Sequence, residues 1–189
     1  MIEFASNTFP RRNFPNLNFS EGLAEELDFF QHFDLVVSFS CFHWIKDPKK
    51  ALHKLSTALK PNGELLILTY PKESPYYRYL QIALKQYPEY YSLSANHKML
   101  STSGYKKLFL KEGLEILDFR QQNLIAEYDS TEEIRKYIKG WLSSYICLPE
   151  HLHDSFLQDV SQAILNDPNT QKGKKIQIPY TALIIRARK

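Results

Sequence analysis

Glycine is scarce in this sequence. The 189 residues include six, and the nearest pair, Gly104 and Gly113, stand nine positions apart. No Gly-x-Gly turn exists, so no stretch offers the close backbone approach that glycine-rich nucleotide loops provide. Cysteine is scarcer still: Cys41 and Cys147 are the only two. Two cysteines make no disulfide framework in a chain of this size, which reads as the usage of a reducing, cytoplasmic compartment. No run of about 18 apolar residues occurs, so no membrane span is expected. The opening Met1-Ile2-Glu3-Phe4 lacks the charged-then-apolar layout of a signal peptide. Charge of one sign is also missing. A net charge of +3 is too small to point to nucleic acid, and Lys172, Lys174 and Lys175 beside Gly173 read as a solvated loop. The one close histidine pair is His151 and His153, whose spacing does not put both on one helix face, so no zinc site is expected. His32, Asp34 and Ser38 would be a triad only with a strained Gly-x-Ser-x-Gly elbow, and none is present.

What the chain has is aromatic surface. Aromatic residues make up 14% of it, with 12 Tyr and 12 Phe. Each buries a large area, so a filled core or an apolar pocket is within reach. Apolar residues at 43% and charged residues at 24% are the balance of an ordinary globular chain. No repeat, low-complexity stretch or linker divides the sequence, so one domain over residues 1–189 is expected.

Periodicity gives the order of elements. Met1 to about Thr8 reads as a short helix that stops before Pro10. Leu17 to Ser20 reads as a short strand. Phe33 to Phe39 is a nearly continuous apolar run, the pattern of a strand buried on both faces. Asp47-Pro48 then opens a helix, with Asp47 as cap and Pro48 in the first turn. Ala51, Leu52, Leu55, Ala58 and Leu59 fall on one face of it. Pro61-Asn62-Gly63 turns the chain into a second buried strand, Glu64 to Thr69. Strand, helix, strand with short connections is a βαβ unit, which implies parallel strands. Further on, Pro75 to Tyr91 is partly helical, Ser101 to Glu112 is a helix stopped by Gly113, and Leu114 to Gln121 is a strand. Ser130 and Glu133 form a capping box ahead of an apolar stripe of Ile134, Tyr137, Ile138, Trp141 and Leu142. A helix from about Pro149 to Leu165 and a strand from Ile176 to Arg188 close the chain.

The stretch from Phe33 to Leu68 carries a resemblance. It reads Phe-Asp-Leu-Val-Val-Ser-Phe-Ser-Cys-Phe-His-Trp-Ile-Lys-Asp-Pro, then a helix, then Leu-Lys-Pro-Asn-Gly-Glu-Leu-Leu-Ile-Leu. This resembles strand 4, helix D and strand 5 of the class I S-adenosylmethionine (SAM)-dependent methyltransferases. The likeness is nearest to the branch with trans-aconitate, malonyl-carrier-protein and juvenile-hormone-acid methyltransferases. Taken alone, His43 and Trp44 read as a core pair, and Lys60-Pro61-Asn62-Gly63 as a generic turn; order and spacing carry the match. Gly113-Leu114-Glu115-Ile116 resembles the start of strand 6, and the last strand resembles the antiparallel strand 7.

The resemblance implies an α/β fold, a partial Rossmann-like sheet holding the family's strands 3 to 7. The glycine turn after strand 1 and the acidic end of strand 2, which hold most of SAM in the family, have no counterpart here. The expectation is an N-terminally truncated enzyme in which strand 4 shows an apolar edge open to self-association. The family's Gly-Asp-Ala-type sequence at the adenine site matches Gly22-Leu23-Ala24, where Leu23 cannot accept the adenine amino group's bond. The resemblance assigns Gly22, Ala24, Ser38, Phe39 and Ser40 to the cofactor, and His43 and Trp44 to the reacting centre. Tyr76, Tyr77 and Trp141 go to the substrate, with Tyr79 beside them. Residues 71–100 and 128–170 become helical substrate-side segments. The implied reaction is O-methylation of a small or carrier-bound carboxylic acid, with no nucleic-acid or membrane partner. The alternative is a non-catalytic remnant acting as an interaction module through the open strand edge.

Overall fold

The computed structural model describes residues 1–91 and 99–189. In chain order the elements are α1 (Ile2–Thr8), β1 (Phe33–Phe39), α2 (Pro48–Ala58), β2 (Leu59–Thr69), α3 (Pro75–Leu84) and α4 (Pro88–Tyr91). Then come α5 (Thr102–Lys111), β3 (Glu115–Tyr128), α6 (Thr131–Lys139), α7 (Leu142–Tyr145), α8 (His153–Leu165), β4 (Gln171–Lys172) and β5 (Lys175–Arg188). The main strands lie in the order β1-β2-β5-β3, with the two-residue β4 beside β5. β1 and β2 run parallel, and β5 is antiparallel to both β2 and β3. The parallel βαβ unit and the antiparallel final strand are those the sequence predicts.

Local chemistry explains the starts of the helices. Asp47 caps α2 by accepting the Lys50 N–H at 3.0 Å, with Pro48 in the first turn. Ser130 accepts the Glu133 N–H at 3.2 Å, and the Glu133 carboxylate reaches back to the Asp129 N–H at 2.8 Å. One apolar face of α2 (Ala51, Leu52, Leu55) and two rings of α5 (Tyr105, Phe109) pack on Leu65, Ile67, Leu183, Ile185 and Ala187 of the sheet. A second core gathers α3, α6, α7 and α8 around Leu80, Leu84, Ile138, Phe156 and Val160.

Four sequence expectations change. Leu17 to Ser20 form no strand: the only strand near enough in sequence, β1, pairs solely with β2 among the described residues, and a lone strand has no ladder to join. β1 is not buried on both faces. Leu35, Val37 and Phe39 are 54%, 48% and 57% exposed, because no described element covers that side of the sheet. Pro61-Asn62-Gly63 lies within the span of β2 as a bulge. The pairing jumps from Phe33–Leu59 to Leu35–Glu64, and Asn62 takes φ 65°. Gly63 is required there, since a Cβ would sit 2.9 Å from the Lys60 carbonyl oxygen and 3.1 Å from that of Phe33. Finally, β3 runs on to Tyr128, seven residues past the expected end, because β5 pairs with it throughout, to Tyr128–Ile176. Of the segment 71–100, α3 and α4 are helical and residues 92–98 lie outside the described residues. The segment 128–170 holds α6, α7 and α8.

Candidate functional site

The carboxyl ends of β1 and β2 open onto one cavity of about 370 Å³. Its walls are Ser40, His43, Trp44, Tyr70, Ser74, Tyr76, Tyr77, Ala126, Tyr128, Tyr137, Trp141 and Tyr180. Ser40 ends β1 in a left-handed conformation, φ 52°, and its N–H is fixed by the Leu68 carbonyl at 2.9 Å. A short 3-10 turn, Phe42–Trp44, follows. Phe42 inserts into the core under the sheet and leaves His43 and Trp44 at the cavity. His43 is buried, with its ring 4.4 Å from that of Trp44 and edge-on to Tyr70 at 5.0 Å. Its Nδ1 lies 3.4 Å from the Thr69 hydroxyl, which meets the Tyr105 hydroxyl at 3.2 Å. These contacts hold the imidazole in one orientation.

The far walls come from helices and strands distant in sequence. Trp141 is the hub: its ring lies 5.7 Å from Trp44, 6.1 Å from Tyr76 and Tyr137, and 6.5 Å from Tyr77. The Tyr76 and Tyr128 hydroxyls stand 3.5 Å apart. Burial holds the phenols of Tyr76, Tyr77, Tyr128 and Tyr137 above the ordinary value, so the lining stays uncharged. No lysine, arginine, aspartate or glutamate lines the cavity among the described residues.

Of the residues named from sequence, the structure brings His43, Trp44, Ser40, Tyr76, Tyr77 and Trp141 to this cavity. Ser38 and Phe39 do not reach it: alternation in β1 turns Phe39 to the uncovered face of the sheet and Ser38 to the opposite one. Gly22 stands in open space with no atom near its would-be Cβ. Ala24 begins a 3-10 turn, Ala24–Glu26, tied to α2 by the Glu25 carboxylate, which accepts the Asp47 N–H at 3.3 Å. Tyr79 faces away, donating to Asp167 at 2.9 Å. Sequence reasoning missed Tyr70, Ser74, Ala126, Tyr128, Tyr137 and Tyr180 as lining. Ala126 and Tyr128 alternate along β3, and Tyr137 lies one helical turn before Trp141, so a periodic signal existed for three of them.

A parallel βαβ whose strand ends face a ligand-sized cavity defines an α/β protein that binds at the carboxyl edge of its sheet. Comparison with known proteins finds methyltransferases. A model described as a methyltransferase domain matches residues 1–67. Juvenile hormone acid O-methyltransferase of Drosophila melanogaster is 27% identical, over all of this chain and 68% of its own length. Malonyl-acyl-carrier-protein O-methyltransferase 2 of Ilyobacter polytropus is 30% identical over 66% of this chain; the chain spans only 46% of that relative. The YcgJ protein of Bacillus subtilis has the same fold, with a TM-score of 0.65 at 22% identity over 100% of this chain and 78% of that one. These likenesses, over residues 1–67 for the domain model and over the whole chain for the Drosophila relative, support a class I SAM-dependent methyltransferase.

The described residues fit one side of a SAM site. The Ala24 turn, fastened at the N-terminus of α2, and the Ser40 backbone both lie at the carboxyl end of β1. Leu23, which the resemblance aligns with the family's adenine acceptor, is exposed, and the nearby Glu25 carboxylate is engaged with Asp47. No described residue supplies the glycine turn that would seat the methionine part.

Proposed function

We propose that this chain forms the substrate side of a SAM-dependent methyltransferase acting on a carboxyl oxygen of a small or carrier-bound acid. The cavity with an uncharged aromatic lining carries this reading. A carboxylate is already a nucleophile, so its methylation requires no general base; it requires alignment and exclusion of water. SAM supplies, when bound, a methyl group on a positively charged sulfur. Ser40 and Ala24 are the residues to border it, with Gly22 as a further candidate contact. His43, held by Thr69, is placed to hydrogen-bond the acid beside Trp44, while Trp141, Tyr76 and Tyr77 enclose the acid's body and keep water out. The Drosophila and Ilyobacter relatives, O-methyltransferases named for juvenile hormone acid and for malonyl-acyl-carrier protein, support an acid as substrate. In this reading residues 1–189 act as one domain, with 71–100 and 128–170 as its substrate-side segments. Its setting is the cytoplasm, which suits Cys41 and Cys147, both unpaired and exposed. No helix among the described residues is long and apolar enough to cross a membrane.

The test is transfer of a labelled methyl group from SAM to a panel of acids and to malonyl carrier protein, with calorimetric titration of SAM beside it. Base-labile ester on one class of acid is expected. No SAM binding and no ester would leave the second reading, a non-catalytic interaction module. One observation favours that alternative: Leu35, Val37 and Phe39 form an exposed apolar row on a strand whose outer edge has no partner among the described residues.

A further inference from the structure

Among the described residues five tyrosines are buried: Tyr76, Tyr77, Tyr79, Tyr105 and Tyr145. Four of their hydroxyls have protein partners. Tyr76 meets Tyr128, Tyr79 donates to Asp167, Tyr105 meets Thr69, and Tyr145 accepts from Gln81. The Tyr77 hydroxyl has none among the described residues, although the residue is only 8% exposed. A buried hydroxyl without a partner is costly and calls for an explanation.

Tyr77 is not loosely placed. Its ring stacks on Tyr145 with centroids 5.5 Å apart and planes within 6° of parallel. It lies in the first turn of α3, behind Pro75, and forms part of the cavity wall. Its phenol is raised above the ordinary value first by burial, then by the neighbouring hydroxyls of Tyr145, Tyr105, Tyr137 and Tyr70. It therefore stands among other phenols and remains a donor at every physiological pH. The Tyr137 hydroxyl, at the half-exposed rim, also has no hydrogen-bond partner among the described residues.

We propose that Tyr77 is a specificity-determining residue that donates its phenol hydrogen to the carboxylate of the bound acid, with Tyr137 as a second donor. This rests on the carboxyl-methylation reading above. A carboxylate only accepts hydrogen bonds, and it accepts them most strongly from well-oriented donors in a site shielded from water. In a cavity without lysine or arginine among the described residues, phenols are the donors that remain, together with Ser40, Ser74, His43, Trp44 and Trp141. Neutral donors fix the acid's direction without locking its charge into an ion pair, so the oxygen keeps its nucleophilic character. The site would prefer a carboxylate to the alcohol of the same chain length, because the alcohol makes only neutral hydrogen bonds.

The sequence provides its own reporter. Its two tryptophans, Trp44 and Trp141, both line the cavity, so intrinsic fluorescence reads its occupancy. The unmodified chain and Tyr77→Phe are titrated with decanoate and with decan-1-ol at one pH. The expected result is decanoate binding roughly tenfold tighter than decanol in the unmodified chain, and loss of most of that preference in Tyr77→Phe. A preference that survives intact in Tyr77→Phe overturns the role of Tyr77 and leaves the carboxyl reading standing. Equal binding of both ligands by the unmodified chain, or no binding of either, overturns the carboxyl reading and this assignment with it. Circular dichroism checks that Tyr77→Phe folds. Should it not, Tyr137→Phe makes the same comparison from the rim, and unchanged decanoate affinity there overturns the two-phenol arrangement.

Discussion

The hydroxyls of Ser40 and Tyr70 meet at 3.0 Å across the carboxyl ends of β1 and β2. Ser40 belongs to the wall proposed for the cofactor, and the Tyr70 ring braces His43 on the substrate side. The bond thus ties the two halves of the site to each other. Both residues are partly open to solvent, so its net contribution to stability is about 0.5–1.5 kcal/mol. Urea unfolding of Ser40→Ala, Tyr70→Phe and the double variant measures it as a coupling energy. A coupling near zero would show that the hydroxyls do not act on each other.

The core under the sheet is the most sensitive place for substitution. Leu52 is fully buried on α2 against Leu65, Ile67 and Phe109. Leu52→Ala removes its contacts and leaves a cavity, which costs about 2–5 kcal/mol. That is a large part of the roughly 5–15 kcal/mol that holds a domain folded. The expected urea midpoint therefore falls well below that of the unmodified chain, while removal of the exposed Leu110 side chain changes it little.

Alkaline pH tests the buried hydroxyl chain of His43, Thr69 and Tyr105. Burial pushes the Tyr105 phenol up to about 12 from an ordinary 10.0, with the Thr69 hydrogen bond opposing part of the rise. A group raised in the folded state contributes stability that is complete below its unfolded value and is lost as pH climbs through the folded one. Stability should therefore fall between about pH 10 and pH 12. Absorbance of tyrosinate and circular dichroism, followed together, should change in one transition. Full ionisation of the tyrosines with the helices intact would contradict this burial.

Much of this architecture was legible because it is local. Asp47-Pro48 with the stripe at Ala51, Leu52 and Leu55 specifies α2, and Ser130 with Glu133 specifies α6. Even the departures follow one rule: what depends on a distant partner is hidden. The length of β3 is set by β5, whose nearest paired residue in sequence, Ile176 opposite Tyr128, is 48 positions away. The exposure of Leu35 and Val37 depends on whether a helix covers that face, which the apolar run itself cannot report. In the cavity, His43, Trp44 and Ser40 were readable because they follow a strand directly. Tyr70, Tyr128 and Tyr180 reach it only through the registers of β2, β3 and β5. Tyr77 was readable as a residue of the site, but its unpartnered hydroxyl exists only once the other four tyrosines are placed.

The open edge of β1 makes the last prediction. Its outer N–H and C=O groups have no partner strand among the described residues, and Leu35, Val37 and Phe39 present about half of their surface to water. An apolar, unpaired strand is a template for pairing with another copy. The ion pair of Asp34 with Lys60, at 2.8 Å, marks one end of the strand, and the middle carries no charge to discourage a neighbour. Sedimentation velocity of the chain should show association that grows with concentration. Val37→Lys places a charge in the middle of the exposed row without touching the packed face, where Val36 lies. It should shift the chain toward the monomer with little change in the urea midpoint. Association unchanged in Val37→Lys would place the contact elsewhere, and a monomer at every concentration would remove self-association from the behaviour of this chain.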